Sequence, residues 1–385
     1  MNSVNPFKAN QQRPGFAPAA PAAPLPRPLP IAPKPHAGSN EPIDTADILG
    51  FEEVWPLMEH TWKHGKINGT TTHFPALDPH FTWKPGELTL VTGWPGSGKS
   101  EFLLQLLNAK AIYDGWKWAL FCPENMPVDE LVDKLVQSYV GKTSNQKYPQ
   151  YRMTFTEYKE ATMFVMNHFS IIYPKGTWTL GNLLNHLDWV MAQREIKGFL
   201  IDPWNALTSD LSAHGGREDK WLEQTLTDFI RYTEDRNLHN IIIAHPSGQA
   251  RDKDGNLQVP DQYNVSGGRM WNNKLDNIMA VHRPGYGKTL EPGEKPDTSV
   301  EIHVHKIKKQ DLVGIPGVAT LDYERGNFRY IDPSLGYAPL DRQRKLRDAA
   351  PKVIQGSLPA STFEDEPARP LPQLDPRFAT EDPPF

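Results

Sequence analysis

Lys99 and Ser100 close the run Gly93-Trp94-Pro95-Gly96-Ser97-Gly98-Lys99-Ser100, in which three glycines lead to a basic and a hydroxyl side chain. That spacing suits a phosphate group. Glycines let backbone N–H groups converge on phosphate oxygens with no Cβ in the way. Lys99 can then reach the β- and γ-phosphates of a nucleoside triphosphate, and Ser100 can offer its hydroxyl to Mg²⁺. Asp202 ends the apolar run Phe199-Leu200-Ile201, where P-loop proteins hold the metal, directly or through water; it also reads as a helix-cap or turn residue ahead of Pro203. Glu124 follows a second apolar run. It can orient and deprotonate an attacking water, and it reads equally well as the N-terminal charge of the helix that Pro127 begins. His245 ends Ile241 to Ala244 and could report loss of the γ-phosphate, or simply be a surface residue.

Basic residues gather elsewhere. Lys306, Lys308 and Lys309 share a strand with His303 and His305, and Arg283 ends an earlier strand. They read as a solvated edge strand, or as charges that reach an ATP bound to the next subunit. Two loops, Asn205 to Lys220 and Pro246 to Arg269, are long and polar. The second carries Arg251, Lys253 and Arg269 near Tyr263 and Trp271, a mixture suited to phosphate contact and base stacking on a single strand.

These residues need elements to position them. The glycine run lies between Glu87 to Thr92, which reads as a buried strand, and Glu101 to Lys110, which reads as a helix. Beyond it, strands at Trp118–Cys122, Phe169–Tyr173, Phe199–Ile201 and Ile241–Ala244 alternate with helices at Val128–Val140, Leu180–Met191 and Trp221–Tyr232. Residues 142 to 160 are polar and poorly patterned. Strands then follow at Asn277–Val281 and Val300–Val304, and a hairpin pairs Val318–Leu321 with Phe328–Tyr330. The pattern predicts an α/β fold with a mostly parallel sheet, extended at one edge by antiparallel C-terminal strands.

The 385-residue chain holds 37 prolines, concentrated at its ends. Residues 1–42 and 336–385 are expected to be disordered, with a linker helix at 43–66 and one ATPase domain at 67–335. A formal net charge of −5 gives no general attraction to nucleic acid, so such contacts must be local. The single cysteine, Cys122, excludes a disulfide framework and a cysteine-based zinc ribbon. Prolines break the apolar N-terminal stretch, which argues against a signal peptide, and no apolar run reaches a membrane span. A cytoplasmic protein without membrane contact is expected.

Together these motifs resemble the ATPase domain of hexameric replicative helicases of the DnaB, Twinkle and phage primase–helicase type, over about Asn68 to Asp332. Phe74-Pro75-Ala76-Leu77-Asp78 and Lys84-Pro85-Gly86-Glu87-Leu88 look like the family's approach to its P-loop. Cys122-Pro123-Glu124-Asn125-Met126 is similar to its Glu-Met motif, which implies Glu124 as catalytic base. Leu200-Ile201-Asp202-Pro203-Trp204-Asn205 looks like Walker B, and His245-Pro246 like the His sensor of the Twinkle and phage branch. Val265-Ser266-Gly267-Gly268-Arg269-Met270-Trp271 is similar to the motif that lines the DNA channel. Lys306-Ile307-Lys308 falls where the family has a Lys-x-Arg pair acting on the neighbour's ATP; Lys308 replaces the arginine. The resemblance implies a RecA-like P-loop NTPase core, ATP and Mg²⁺, single-stranded DNA as partner, and a homo-oligomeric, hexameric ring. It also implies that the linker helix docks on the adjacent subunit. No primase, zinc-ribbon or DnaB-type N-terminal domain is expected ahead of the ATPase domain. The last residues, Thr380-Glu381-Asp382-Pro383-Pro384-Phe385, look like the acidic Pro-Phe tip of bacterial single-stranded-DNA-binding proteins, a tip that contacts replication proteins. Two other readings share the P-loop: a RecA- or RadA-like recombination ATPase, and a non-hydrolysing ATP-switch adaptor. An intact Glu124 weighs against the adaptor.

Overall fold

The computed structural model describes residues 48–248, 253, 257–286, 293 and 295–349, with side chains described as far as 346. The chain divides into two units at Gly65. The first contributes one helix, α1 (Phe51–His64), later in its start than the expected 43. Glu53 and the backbone N–H of Gly50 close its first turn at 2.8 Å. No α1 residue is buried, so Phe51, Trp55, Met58 and Trp62 all present apolar surface.

The second unit is built on a nine-stranded sheet. Its strands are β1 (Glu87–Thr92), β2 (Trp118–Phe121), β3 (Phe169–Ile171), β4 (Gly198–Ile201), β5 (His239–Ile243), β6 (Asn277–His282), β7 (Ser299–Ile307), β8 (Gly317–Glu324) and β9 (Arg329–Ile331). Their order is β3-β2-β4-β5-β1-β6-β7-β8-β9. The first six strands pair in parallel and the last three add antiparallel, as the alternation of strand and helix predicts. β1 is buried at every position because both sheet faces are covered, and its polar side chains Glu87, Thr89 and Thr92 are buried with hydrogen-bond partners on β6, on β5 and just past the end of β5.

The helices are α2 (Lys99–Asp114), α3 (Val128–Val140), α4 (Phe155–His168), α5 (Leu180–Met191), α6 (Glu218–Asp235), α7 (Gly268–Lys274), α8 (Gln310–Val313) and α9 (Arg342–Ala349). Alternate strand residues sort into two cores. Val91, Leu120, Leu200 and Ile243 pack with α2 and α3 on one face; Leu90, Phe121, Ile201 and Ile242 pack with α5 and α6 on the other.

Two expectations change. The stretch read as polar and poorly patterned leads into α4, which Thr154 starts. Its hydroxyl accepts from the Glu157 N–H at 3.2 Å, and the Glu157 carboxylate accepts from the Thr154 N–H at 2.7 Å. The C-terminal boundary also moves. Tyr337, Ala338 and Leu340 are buried, Leu340 completely, and Tyr113 donates its hydroxyl to the Pro339 carbonyl at 2.6 Å. The domain therefore runs past 335, because these few apolar side chains fill the face beneath α2. The N-terminal tail, the final Pro-Phe tip and Arg251 lie outside the described residues.

Candidate active site

β1, β4 and β5 lie side by side or one strand apart, so Gly93, Asp202 and His245 all emerge at the same sheet edge. In an open parallel sheet this carboxyl edge forms the ligand crevice. The P-loop turns there and feeds the N-terminus of α2, where free N–H groups and the helix dipole favour an anion. Gly93 is required: its φ is +154°, and a Cβ would stand 2.5 Å from the Val281 carbonyl.

Lys99 is folded inward and only 6% exposed. Its ammonium donates to the Gly93 carbonyl at 2.8 Å and the Trp94 carbonyl at 3.1 Å. Burial lowers its pKa, while Asp202 and Glu124 pull it back up. Ser100 donates its hydroxyl to Asp202 Oδ2 at 2.6 Å. Asp202 is 2% exposed, and burial raises its pKa, with the negative charge of Glu124 adding to the rise. A hydroxyl and a buried carboxylate, both oxygen donors, fit a hard divalent cation such as Mg²⁺.

Glu124 follows β2 and remains exposed, with its carboxylate 3.4 Å from His245 Nε2. The two residues come together although 121 positions separate them. The His245 backbone N–H donates to Asn205 Oδ1 at 3.2 Å, which ties the sensor position to the loop after Asp202. Asn125, not singled out from sequence, donates its amide to Asp202 at 3.4 Å and accepts from Lys134 at 2.5 Å. Its position beside Glu124 was the available signal.

The other singled-out residues lie away from this cluster or bond within the chain. Arg283 donates to the Gly96 carbonyl of its own P-loop at 3.2 Å and lies 5.1 Å over the Tyr286 ring, so in the single chain it braces this loop. Lys306 donates to the Asn272 and Leu275 carbonyls at 2.5 and 2.7 Å, holding the end of α7. Lys308 pairs with Asp276 at 3.1 Å and stays half exposed. Lys253 and Arg269 are exposed. Trp271 is not a stacking platform. It is 1% exposed, donates to the Ser266 carbonyl at 2.7 Å and packs edge-on to Trp204. Its apolar ring faces the core side of α7, and Arg269 faces solvent.

Tyr330, not singled out from sequence, lies against the P-loop. Its hydroxyl donates to the Gly98 carbonyl at 3.4 Å, and its ring lies 5.0 Å from Tyr323. Tyr323 lines a cavity of about 490 Å³ with Tyr148, Tyr151, Arg325 and Phe328. Nothing local marks these residues, since the 143–151 loop and the β8–β9 hairpin meet only after folding. Among the described residues no helix is long and apolar enough to cross a membrane.

No protein-family model matches the chain. Over 292 residues it is 30% identical to the Twinkle homolog protein, chloroplastic/mitochondrial, of Arabidopsis thaliana, covering 73% of this chain and 39% of that protein. Over 273 residues it is 23% identical to the replicative DNA helicase DnaB of Mycoplasma genitalium, covering 69% of this chain and 56% of that protein. The chain thus spans well under two thirds of both relatives. Among solved structures it is similar to an ATPase domain, with TM-score 0.58 and 14% identity over 74% of this chain and 98% of that one. It is also similar to a DnaB-like replicative helicase studied with primase, with TM-score 0.57 and 17% identity over 74% and 68% of the two chains. These likenesses establish a RecA-like fold, and with the sequence relatives they show that the chain carries a DnaB/Twinkle-like helicase domain.

Proposed function

We propose that this chain is an ATP-driven helicase that moves along single-stranded DNA in replication, with ATP held between the subunits of a hexameric ring. The observation that carries the reading is the convergence of Lys99, Ser100, Asp202, Glu124 and His245 at one sheet edge, on a domain of the DnaB/Twinkle type. The loop amides and Lys99 would hold the phosphates, and Ser100 and Asp202 would hold Mg²⁺. The metal, when bound, would neutralise charge on the phosphate oxygens. Glu124 would orient the attacking water and take its proton, and His245 beside it would respond to the γ-phosphate. The aromatic cavity next to Tyr330 supports a place for the nucleotide base.

Lys308 supports a shared site. In register, β6 starts at Asn277 opposite Thr89 of β1, and β7 ends at Ile307 opposite Asn277. Lys308 thus lies at the entry end of β1, with its own P-loop at the exit end. Only a nucleotide on another subunit would be within its reach. Lys253, Arg269 and Arg251 are the proposed DNA contacts. The cytoplasm remains the proposed location; one relative is named for chloroplasts and mitochondria, so fractionation would decide. Contact with replication proteins through the Pro-Phe tip is tested by deleting Phe385.

The function is tested by steady-state ATP hydrolysis with and without single-stranded DNA, beside Lys99→Ala and Glu124→Gln. Stimulation by DNA that both variants lose is expected, followed by strand displacement on a forked duplex. Stimulation without strand displacement would favour a recombination ATPase, and nucleotide binding without turnover would favour the adaptor.

A further inference from the structure

We propose that the segment Gln258 to Val265 couples nucleic-acid contact to the phosphate site, and that Trp94 is the positioning residue through which it acts. The proposal rests on the ATP- and DNA-binding reading above. Trp94 stands second in the P-loop, yet its side chain bonds to a loop 164 residues further along the chain. It is 2% exposed, and its indole N–H donates to the Gln258 carbonyl at 2.6 Å. Its own carbonyl accepts from Lys99 at 3.1 Å. One residue therefore touches both the phosphate-binding lysine and a distant loop.

The other end of the segment is tied beside the sensor histidine. Ser247, next but one after His245, donates its backbone N–H and its hydroxyl to the Asn264 carbonyl at 2.6 and 2.8 Å. Pro246 and Val265 form an isolated bridge. A third tie comes from β7, where His305 Nε2 donates to the Pro260 carbonyl at 3.1 Å. Between the ties the segment is stiff, because the Asp261 carboxylate accepts from the Tyr263 and Asn264 N–H groups at 2.8 and 3.3 Å. Its outer surface presents Tyr263, 58% exposed, and it runs on to Arg269 at the start of α7.

A short braced segment shifts as a unit. If a strand of nucleic acid displaces it at Tyr263 and Arg269, Gln258 must move with it. Trp94 then follows or leaves a buried N–H unpaired, which is unfavourable. Movement of Trp94 shifts the carbonyl that holds Lys99. Nucleotide drawing Lys99 to its phosphates would act back along the same path, since coupling between two ligands is reciprocal.

The test is binding of a dye-labelled oligo-dT strand to the full chain, read by fluorescence anisotropy with and without a non-hydrolysable ATP analogue and Mg²⁺. In the wild type the analogue should tighten binding by an ordinary coupling factor, ~5–150-fold. Trp94→Phe keeps an aromatic ring and loses the N–H. Its tightening, read as the ratio of its own affinities with and without analogue, should fall below ~2-fold. His305→Phe, which releases the same segment from outside the P-loop, should do likewise, and His305→Gln, which keeps a donor, should restore the coupling. Wild-type tightening in both Phe variants would overturn the proposal. If Trp94→Phe fails to fold or to bind nucleotide, His305→Phe decides alone. A wild type that binds both ligands without coupling would also overturn it, whereas a wild type that binds no single strand would instead defeat the underlying function.

Discussion

Glu124 carries two sequence readings, and the proposed one as base makes a specific demand on its neighbours. A carboxylate that only capped α3 would have no reason to face His245 across 121 positions, yet the two side chains stand 3.4 Å apart beside Lys99 and Asp202. Glu124→Gln should therefore keep nucleotide binding and lower turnover by ~10²–10⁴-fold, measured as single-turnover hydrolysis beside equilibrium binding of a fluorescent analogue. Trp271 and Arg269 separate in the opposite way. Two residues apart in sequence, one lies in the core and the other in solvent. Trp271→Ala should cost about 3–5 kcal/mol of stability in urea titration. Arg269→Ala should leave stability nearly unchanged and reduce the salt slope of single-strand binding by about 1. Equal stability losses in the two variants would contradict this division.

At the scale of elements, the base of β5 carries a buried titratable group. His239 is fully buried, with Nδ1 donating to the Lys84 carbonyl at 2.8 Å and Nε2 facing the Thr89 hydroxyl at 2.9 Å. Burial lowers its pKa from 6.5 to about 4. Between those values the unfolded chain binds the extra proton, so stability is fully present above pH 6.5 and falls as the pH drops towards 4. At ~1.4 kcal/mol per pH unit the loss is roughly 3 kcal/mol, and His239→Gln should flatten that acid limb in denaturant titrations at stepped pH. The C-terminal segment offers a second check. Leu340→Ala should cost about 2–5 kcal/mol, since a fully buried leucine leaves a cavity against α2. A loss under about 0.5 kcal/mol, the ordinary size for surface changes, would return Leu340 to the tail.

For the whole molecule, the register of β1, β6 and β7 sets Lys308 and the P-loop at opposite ends of the same strand. The proposed site completed in trans would have a distinctive consequence. Lys99→Ala and Lys308→Ala should each be inactive alone. Mixed as subunits, they should regain turnover, because roughly a quarter of random head-to-tail interfaces would join an intact P-loop to an intact Lys308. Mixtures that stay inactive while co-assembling would remove Lys308 from the neighbouring site. The exposed apolar face of α1, with Phe51, Trp55, Met58 and Trp62, suits a chain that is not complete as a monomer.

The sequence by itself determined the parts whose signals are local. A glycine-lysine-serine run between an apolar strand and a helix reads as a phosphate-binding loop, and strand–helix alternation followed by strands leaves few sheet topologies. The shared placement of Asp202 and His245 was legible because strand ends in a parallel sheet share one edge. Even α4 was signalled, by the reciprocal Thr154–Glu157 cap, although its polar approach hid it. Only the tertiary structure decided which side chains face inward. The burial of Trp271 and Leu340, the bracing of the P-loop by Arg283 and the bond from Trp94 to Gln258 depend on segments far apart in the chain. Periodicity along one segment carries no information about the segment that will lie against it, and side-chain roles at such contacts are set by that partner.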